Sequence, residues 1–234
     1  MALPARGKSA SLPQPATILT PKDIRSLSRL FPGLWNRWYI PSKFRTDPLY
    51  RAVFDQYHDS ELPLLDIGCG LGLLAFYLRY RGLAFPIHGV DYDIRKIHAA
   101  RKAADASGFP DLDFHPCDAR RELPDHHGNV TILDILQFFQ PDERQMMLRQ
   151  AADRLAPGAK LVIRSGLRDT TWRFHITVAG DIFAKAARWM KSAPSCYPNA
   201  DDFIRALSGY GEVSITPLWG NTPFNNHLIV LTRR

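Results

Sequence analysis

Asp66-Ile67-Gly68-Cys69-Gly70-Leu71-Gly72 is the segment of this chain best suited to hold a ligand. It follows an apolar run, Leu62 to Ile67, and precedes a helical pattern that starts at Leu73. Glycines at alternate positions let the backbone turn sharply and let a ligand lie against the main chain. Asp91 closes the next apolar run, about twenty residues past the glycines, where a carboxylate hydrogen-bonds ribose hydroxyls, and Tyr92 follows it. Two nucleotide readings meet here. A dinucleotide fold asks for a third glycine at Leu73, which is absent, and it places a pyrophosphate at the helix N-terminus. Asp66 would repel that pyrophosphate but suits the ammonium of an amino acid. The spacing therefore favours a nucleoside joined to an amino acid over NAD.

A second reactant needs its own walls and, where it carries a proton, a base. His175 and His227 are the candidate general bases, although a histidine in either place is more often structural. Flat apolar walls for an aromatic acceptor come from Tyr39, Trp189 and Trp219, with Trp35 and Trp38 nearby in sequence. Lys43 and Arg45 suit a carboxylate on either reactant. Cys117 reads as a small buried apolar residue rather than a reactive thiol. Asp93 reads as a helix N-cap.

The chain has 234 residues, a net charge of +7 and three cysteines, Cys69, Cys117 and Cys196. That length suits one core with appended helices. An odd, sparse cysteine set without a CxxC pair points to a reducing compartment, and a cytoplasmic location is expected. Histidines are scattered apart from His126-His127, so no metal is expected. Lys and Arg never run longer than two, so nucleic-acid binding is disfavoured despite the basic balance. No apolar run is long enough for a membrane span, and prolines interrupt the N-terminus where a secretory signal needs continuity.

The elements that would position these residues can be read from periodicity. Residues 1–20, rich in Pro, Ala and Ser, are expected to form a flexible tail. Residues 21–58 are expected to form a helical cap, beginning with Thr20 as N-cap and Pro21 at the first helical position. Apolar strands are expected over Leu62–Ile67, Ile87–Asp91, Leu112–Cys117, Val130–Leu136 and Lys160–Arg164. Helices over Leu73–Arg81, Ile94–Ala106 and Pro141–Leu155 lie between them, and such alternation means parallel strands with crossover helices. Residues 170–198 read as a helical insertion contributing to the acceptor site. Asp201–Leu207 is a further helix, and Val213–Leu218 with Leu228–Thr232 form an antiparallel hairpin.

Taken together, these segments resemble the class I S-adenosylmethionine-dependent methyltransferases over about residues 60 to 166. Leu65 to Gly72 looks like their first motif and His88 to Asp93 like their second. Cys117-Asp118-Ala119 is similar to the segment whose Asp meets the adenine amino group. Leu133-Asp134-Ile135-Leu136-Gln137 resembles the fourth-strand motif, and Leu155 to Leu161 the turn before the fifth strand. The resemblance implies a Rossmann-like α/β domain over residues 59–234: seven strands, mostly parallel, the last inserted antiparallel, with helices on both faces. It implies Asp66, Gly68, Cys69, Gly70, Asp91, Tyr92, Asp118, Ala119, Asp134 and Ile135 as the S-adenosyl-L-methionine site, with S-adenosyl-L-homocysteine as product. Gln137 departs from the His or Leu many members carry. The segment Trp38 to Tyr50 looks like a subgroup associated with bacterial aryl-polyene pigment pathways. A small aromatic acceptor, methylated on oxygen or else on a ring carbon, is therefore expected. The alternatives are an RNA methyltransferase and a methyltransferase-like protein that only binds a partner.

Overall fold

The computed structural model describes residues 19–186 and 196–234. Seven strands form one sheet in the order β3-β2-β1-β4-β5-β7-β6. They are β1 (Leu64–Ile67), β2 (Ile87–Asp91), β3 (Leu112–Pro116), β4 (Asn129–Leu133), β5 (Lys160–Gly166), β6 (Gly211–Pro217) and β7 (Asn226–Arg233). The first five are mutually parallel, and β7 runs antiparallel to both β5 and β6. This is the expected seven-stranded sheet, and the hairpin lies where it was read.

The central strands are continuous apolar runs because both faces are covered. On one face lie α1 (Pro21–Arg29), α2 (Leu34–Thr46), α3 (Leu49–Tyr57), α4 (Leu73–Tyr80) and α5 (Ile94–Ser107), which share a core from Ile24 and Phe31 through Val53 and Tyr57 to Phe76 and Phe114. On the other lie α6 (Pro141–Asp153) and α8 (Ala200–Leu207), packed through Met147, Leu148, Phe203 and Leu207 onto Leu65, Ile67 and Ile132. The helices before residue 59 thus belong to the sheet's own core. Tyr57 makes the tie explicit, donating from its buried hydroxyl to the Val130 carbonyl at 2.7 Å.

Local chemistry sets the helix starts. Thr20 caps α1 through a reciprocal bond pair with Asp23, with Pro21 next to it, as expected. Asp93 caps α5, and Gly108 ends it in the left-handed conformation. Leu19 is buried, so the ordered chain already includes the last residues assigned to the tail, while residues 1–18 of that tail lie outside the described residues. The aromatic stretch at Trp35 is part of a 13-residue helix, α2, that accommodates Pro41. The expected strand over Val130–Leu136 stops at Leu133, because Asp134 turns left-handed (φ 58°) and a short 3-10 helix, Leu136–Phe138, follows. The insertion is helical over α7 (Trp172–Ala186). Trp189 lies outside the described residues. No described helix is long and apolar enough to cross a membrane.

Candidate active site

The carboxyl ends of β1, β2, β4 and β5 meet along one edge of the sheet. There the glycine turn is built against its neighbours. Gly68 and Cys69 donate to the Val90 carbonyl at 2.7 and 3.0 Å. Gly68, Gly70 and Gly72 take φ of 78°, 57° and 71°, where L side chains are strained. Gly68 also needs its lack of a Cβ for space, since one would lie 2.8 Å from the Ile135 side chain. At Gly72 a Cβ would lie 2.6 Å from the Phe114 ring.

Asp91 is buried and locked into this turn. One carboxylate oxygen accepts from Gly70 N–H at 2.9 Å and the other from Asp93 N–H at 2.8 Å. Lone pairs remain on both oxygens for a diol. Tyr92 beside it is half exposed.

Asp66 lies one residue before the end of β1, in register with Gly89 on β2 and Thr131 on β4. It is buried, and among the described residues its carboxylate accepts one hydrogen bond, from Thr131 Oγ1 at 2.8 Å. Burial pushes its pKa up to about 7, Thr131 opposes the shift, and the nearby Asp91 charge adds to it. A buried acid so poorly compensated is stabilised by a cation. The donor set therefore fits the expected ligand: an acid for an ammonium, a glycine turn open to close approach, and a second acid for a ribose.

Asp118 is one-third exposed, and Arg120 occupies both its oxygens, with Nε at 2.9 Å and Nη2 at 3.2 Å. That pairing holds its carboxyl below the usual range. An adenine contact there would share or displace Arg120. Ala119 follows in the same turn, half-buried.

Asp134 has a partner that sequence reasoning missed. Arg164, buried on β5, holds Asp134 through Nε at 2.6 Å and through Nη2, and its Nη1 reaches Asp47 at 2.5 Å. Asp47 caps the end of α2 and also pairs with Lys43 at 3.5 Å. The guanidinium between two carboxylates stays charged despite burial, and Asp47 is held below the usual carboxylate range. Arg164 thus ties the α2–α3 junction to the ends of β4 and β5. An arginine ending an apolar parallel strand was the available signal, because a buried charge must find partners.

The acceptor candidates fall into two groups. Tyr39 stacks on Trp35 with centroids 6.0 Å apart, and Lys43 lies 5.8 Å over its ring. Both stand on α2, beside the Asp47 latch. Trp219 meets His227 edge-on at 6.2 Å, with Arg173 4.6 Å over the indole. Trp219 Nε1 is buried without a hydrogen-bond partner. The β6–β7 loop brings this group toward α2, since a Cβ on Gly220 would touch Pro48 at 3.0 Å. His227 sits beside Ser165 in register, and burial holds its pKa below the ordinary imidazole value. His175 stands exposed on α7 and is not joined to either group by any described contact.

Residues 64–158 match the model of a methyltransferase domain. These residues are a class I S-adenosylmethionine-dependent methyltransferase domain. Among curated proteins, the chain is similar to carboxy-S-adenosyl-L-methionine synthase of Marinobacter nauticus, 27% identical over 166 residues, covering 65% of this chain and 63% of that protein. It is 32% identical over 102 residues to trans-aconitate 2-methyltransferase of Streptomyces coelicolor, covering 43% of this chain but 33% of that protein. It is 24% identical over 171 residues to the ubiquinone biosynthesis O-methyltransferase of Neisseria meningitidis, covering 70% and 69%. The chain thus spans less than two thirds of the length of the first two. Among solved structures, the pyocyanin biosynthetic protein PhzM superposes with a TM-score of 0.65 at 15% identity, over 91% of this chain and 62% of that one. The magnesium protoporphyrin IX methyltransferase of Synechocystis PCC 6803, solved with S-adenosylhomocysteine, superposes at 0.59 and 17%, over 91% and 86%. At these identities the structures speak for the fold alone.

Proposed function

We propose that this chain transfers a methyl group from S-adenosylmethionine to a small-molecule acceptor, at an oxygen or else a ring carbon of an aromatic or aryl-acid compound, in the cytoplasm. The observation that carries the reading is Asp66, a buried acid short of partners beside a glycine turn with no room for a side chain at Gly68 or Gly72. Asp66 holds the amino-acid ammonium, the Gly68–Gly70 backbone lines the ligand, Ile135 packs on the turn, and Asp91 takes the ribose. S-adenosylmethionine supplies a methyl group on a sulfonium whose departure needs no proton. The protein's share is to align the nucleophile and keep water out.

Helices α1–α3 act as a cap and α7 borders the acceptor site. Tyr39 and Trp219 serve as its walls, and Lys43 attracts an acidic acceptor. His227 is the better-placed base: it is neutral near pH 7, half-buried and seated on a strand beside Ser165. His175, exposed, is the weaker choice. Calorimetric titration with S-adenosylhomocysteine, with NAD in parallel, tests the cofactor. Micromolar binding lost in Asp91→Ala is expected, and absence of binding overturns the proposal. Phenols and aryl acids are then assayed for release of S-adenosylhomocysteine.

The similarity to carboxy-S-adenosyl-L-methionine synthase favours a second reading, in which S-adenosylmethionine is itself the molecule modified. Consumption of S-adenosylmethionine with a gain in its mass and no S-adenosylhomocysteine separates that outcome from methyl transfer.

A further inference from the structure

Strand pairing collects histidines that lie far apart in the chain. His88 on β2 is in direct register with Asp113 on β3, and residues two apart on a strand share a face, so His115 joins Asp113. The rings of His88 and His115 meet edge-on with centroids 5.1 Å apart. One ligand atom from each of His88, Asp113 and His115 lies within 4.8 Å of the others. His88 Nε2 is buried and has no hydrogen-bond partner. His88 and Asp113 also line a cleft of about 270 Å³ together with His126, beside the amino ends of β1 and β2.

We propose that His88, Asp113 and His115 form a site for a divalent transition-metal cation of the zinc class, independent of the methyltransferase site. Two imidazoles and one carboxylate suit zinc, cobalt or nickel rather than magnesium or calcium, which prefer all-oxygen shells. Bonds of about 2.0–2.2 Å to a tetrahedral ion place ligand atoms roughly 3.3 Å apart. His115 Nε2 and Asp113 Oδ2 sit at 2.7 Å and must part slightly, and the His88 ligand atom already lies within 4.8 Å of theirs. Both β3 side chains are exposed, so rotamer changes achieve this. The cleft leaves room for water on the open coordination position. The metal would clamp the edge strand β3 to β2, protecting an edge whose side chains are largely exposed.

One feature opposes binding and sharpens the test. Arg101 Nη2 lies 3.2 Å from His115 Nδ1, while its Nε donates to the Phe114 carbonyl at 2.6 Å. A guanidinium only donates, so His115 Nδ1 accepts and Nε2 carries the proton shared with Asp113. A metal on Nε2 moves that proton to Nδ1 and turns Arg101 Nη2 away. Removing Arg101 therefore strengthens binding instead of weakening it, an effect that random surface adsorption would not reproduce.

The chelator-treated full chain is titrated calorimetrically with Zn²⁺, and with Mg²⁺ as a control. Bound metal is counted after dialysis, and Co²⁺ absorption reports the coordination geometry. One Zn²⁺ per chain is expected. His115→Ala and Asp113→Asn each weaken it at least about tenfold, Arg101→Ala tightens it, and Zn²⁺ but not Mg²⁺ raises the melting temperature. His115 and Asp113 are exposed, so their variants fold; His88→Ala is read only where circular dichroism matches the parent. The proposal is overturned by absence of saturable Zn²⁺ binding, or by binding that His115→Ala and Asp113→Asn leave unchanged.

Discussion

Asp66 makes cofactor affinity depend on pH in a calculable way. Its carboxyl titrates at about 7 in the free protein because burial disfavours the charged form. An ammonium seated against it reverses that preference and lowers its pKa. Binding then requires the ionised acid, and affinity falls as the free protein takes up a proton. From the pKa of about 7, the dissociation constant for S-adenosylhomocysteine rises about 25-fold between pH 7.5 and pH 5.5, about 2 kcal/mol. The ligand's amine stays largely cationic over that range. Isothermal titration at half-unit pH steps, in two buffers of different ionisation enthalpy, gives both the slope and the proton released. Asp66→Asn should flatten the profile and weaken binding at pH 7.5 by roughly 10- to 100-fold, the worth of a charge-assisted hydrogen bond of about 1.5–3 kcal/mol. His227→Gln, which removes the candidate base and leaves Asp66 in place, should keep the slope. A wild-type profile that is flat, or one whose slope survives in Asp66→Asn, would refute the assignment of Asp66 to the ammonium.

The same shift governs stability of the free protein. The raised folded pKa favours the protonated acid, so this contribution is present below the unfolded value of 3.8 and is lost as pH climbs through about 7. The lost amount is about three units, or about 4 kcal/mol, so urea midpoints of the free protein should fall toward pH 8 and recover in Asp66→Asn. Arg164→Met strands Asp47 and Asp134 without their shared cation and should cost about 3–5 kcal/mol in urea unfolding. Asp47→Asn, which leaves the Asp134 pair intact, should cost less. Gly68→Ala should destabilise the fold and abolish S-adenosylhomocysteine binding, with Ile135→Ala restoring part of the stability, because a Cβ meets that side chain at 2.8 Å. Gly70→Ala, with its nearest neighbour 3.9 Å away, should cost only the positive φ, about 1–2 kcal/mol. Once an acceptor is found, Trp219→Ala and Lys43→Ala should raise its KM and spare the cofactor. Loss of the acid limb of kcat in His227→Gln would identify the base.

What could be read from the sequence, and what could not, follows from how far apart the interacting residues lie. The glycine turn and Asp91 are legible because one strand, one turn and the next strand build them, and the residue types and their spacing carry the pattern. Alternating apolar runs give the sheet for the same reason, since each strand declares its own burial. Boundaries fail where tertiary partners decide them: Asp134 leaves its strand because its carboxylate is held by Arg164 and its backbone turns left-handed. α2 continues through Pro41, with Ile40 buried in the core that α1 and α3 share. Arg164 joins residues from three separate segments: its place in an apolar run signals that it needs partners, but no local pattern says which. His88 and His115 are equally scattered in the chain and are neighbours only because parallel register aligns β2 with β3.

The two acids on which the cofactor reading rests are therefore held in opposite ways, and the difference is functional. Asp91 is satisfied before any ligand arrives, by Gly70 and Asp93, so it is a fixed post that aligns the turn and offers spare lone pairs to a ribose. Asp66, with Thr131 alone among the described residues, is left in deficit. A ligand that brings a cation gains more at Asp66 than one that brings only hydroxyls, because it relieves a cost the empty protein already carries. A nucleoside without the amino-acid ammonium should therefore bind at Asp91 yet lose the pH dependence. Comparing adenosine with S-adenosylhomocysteine at pH 5.5 and 7.5 tests this: adenosine should bind weakly and equally at both, and a matching 25-fold dependence for adenosine would place the titrating acid at the ribose instead.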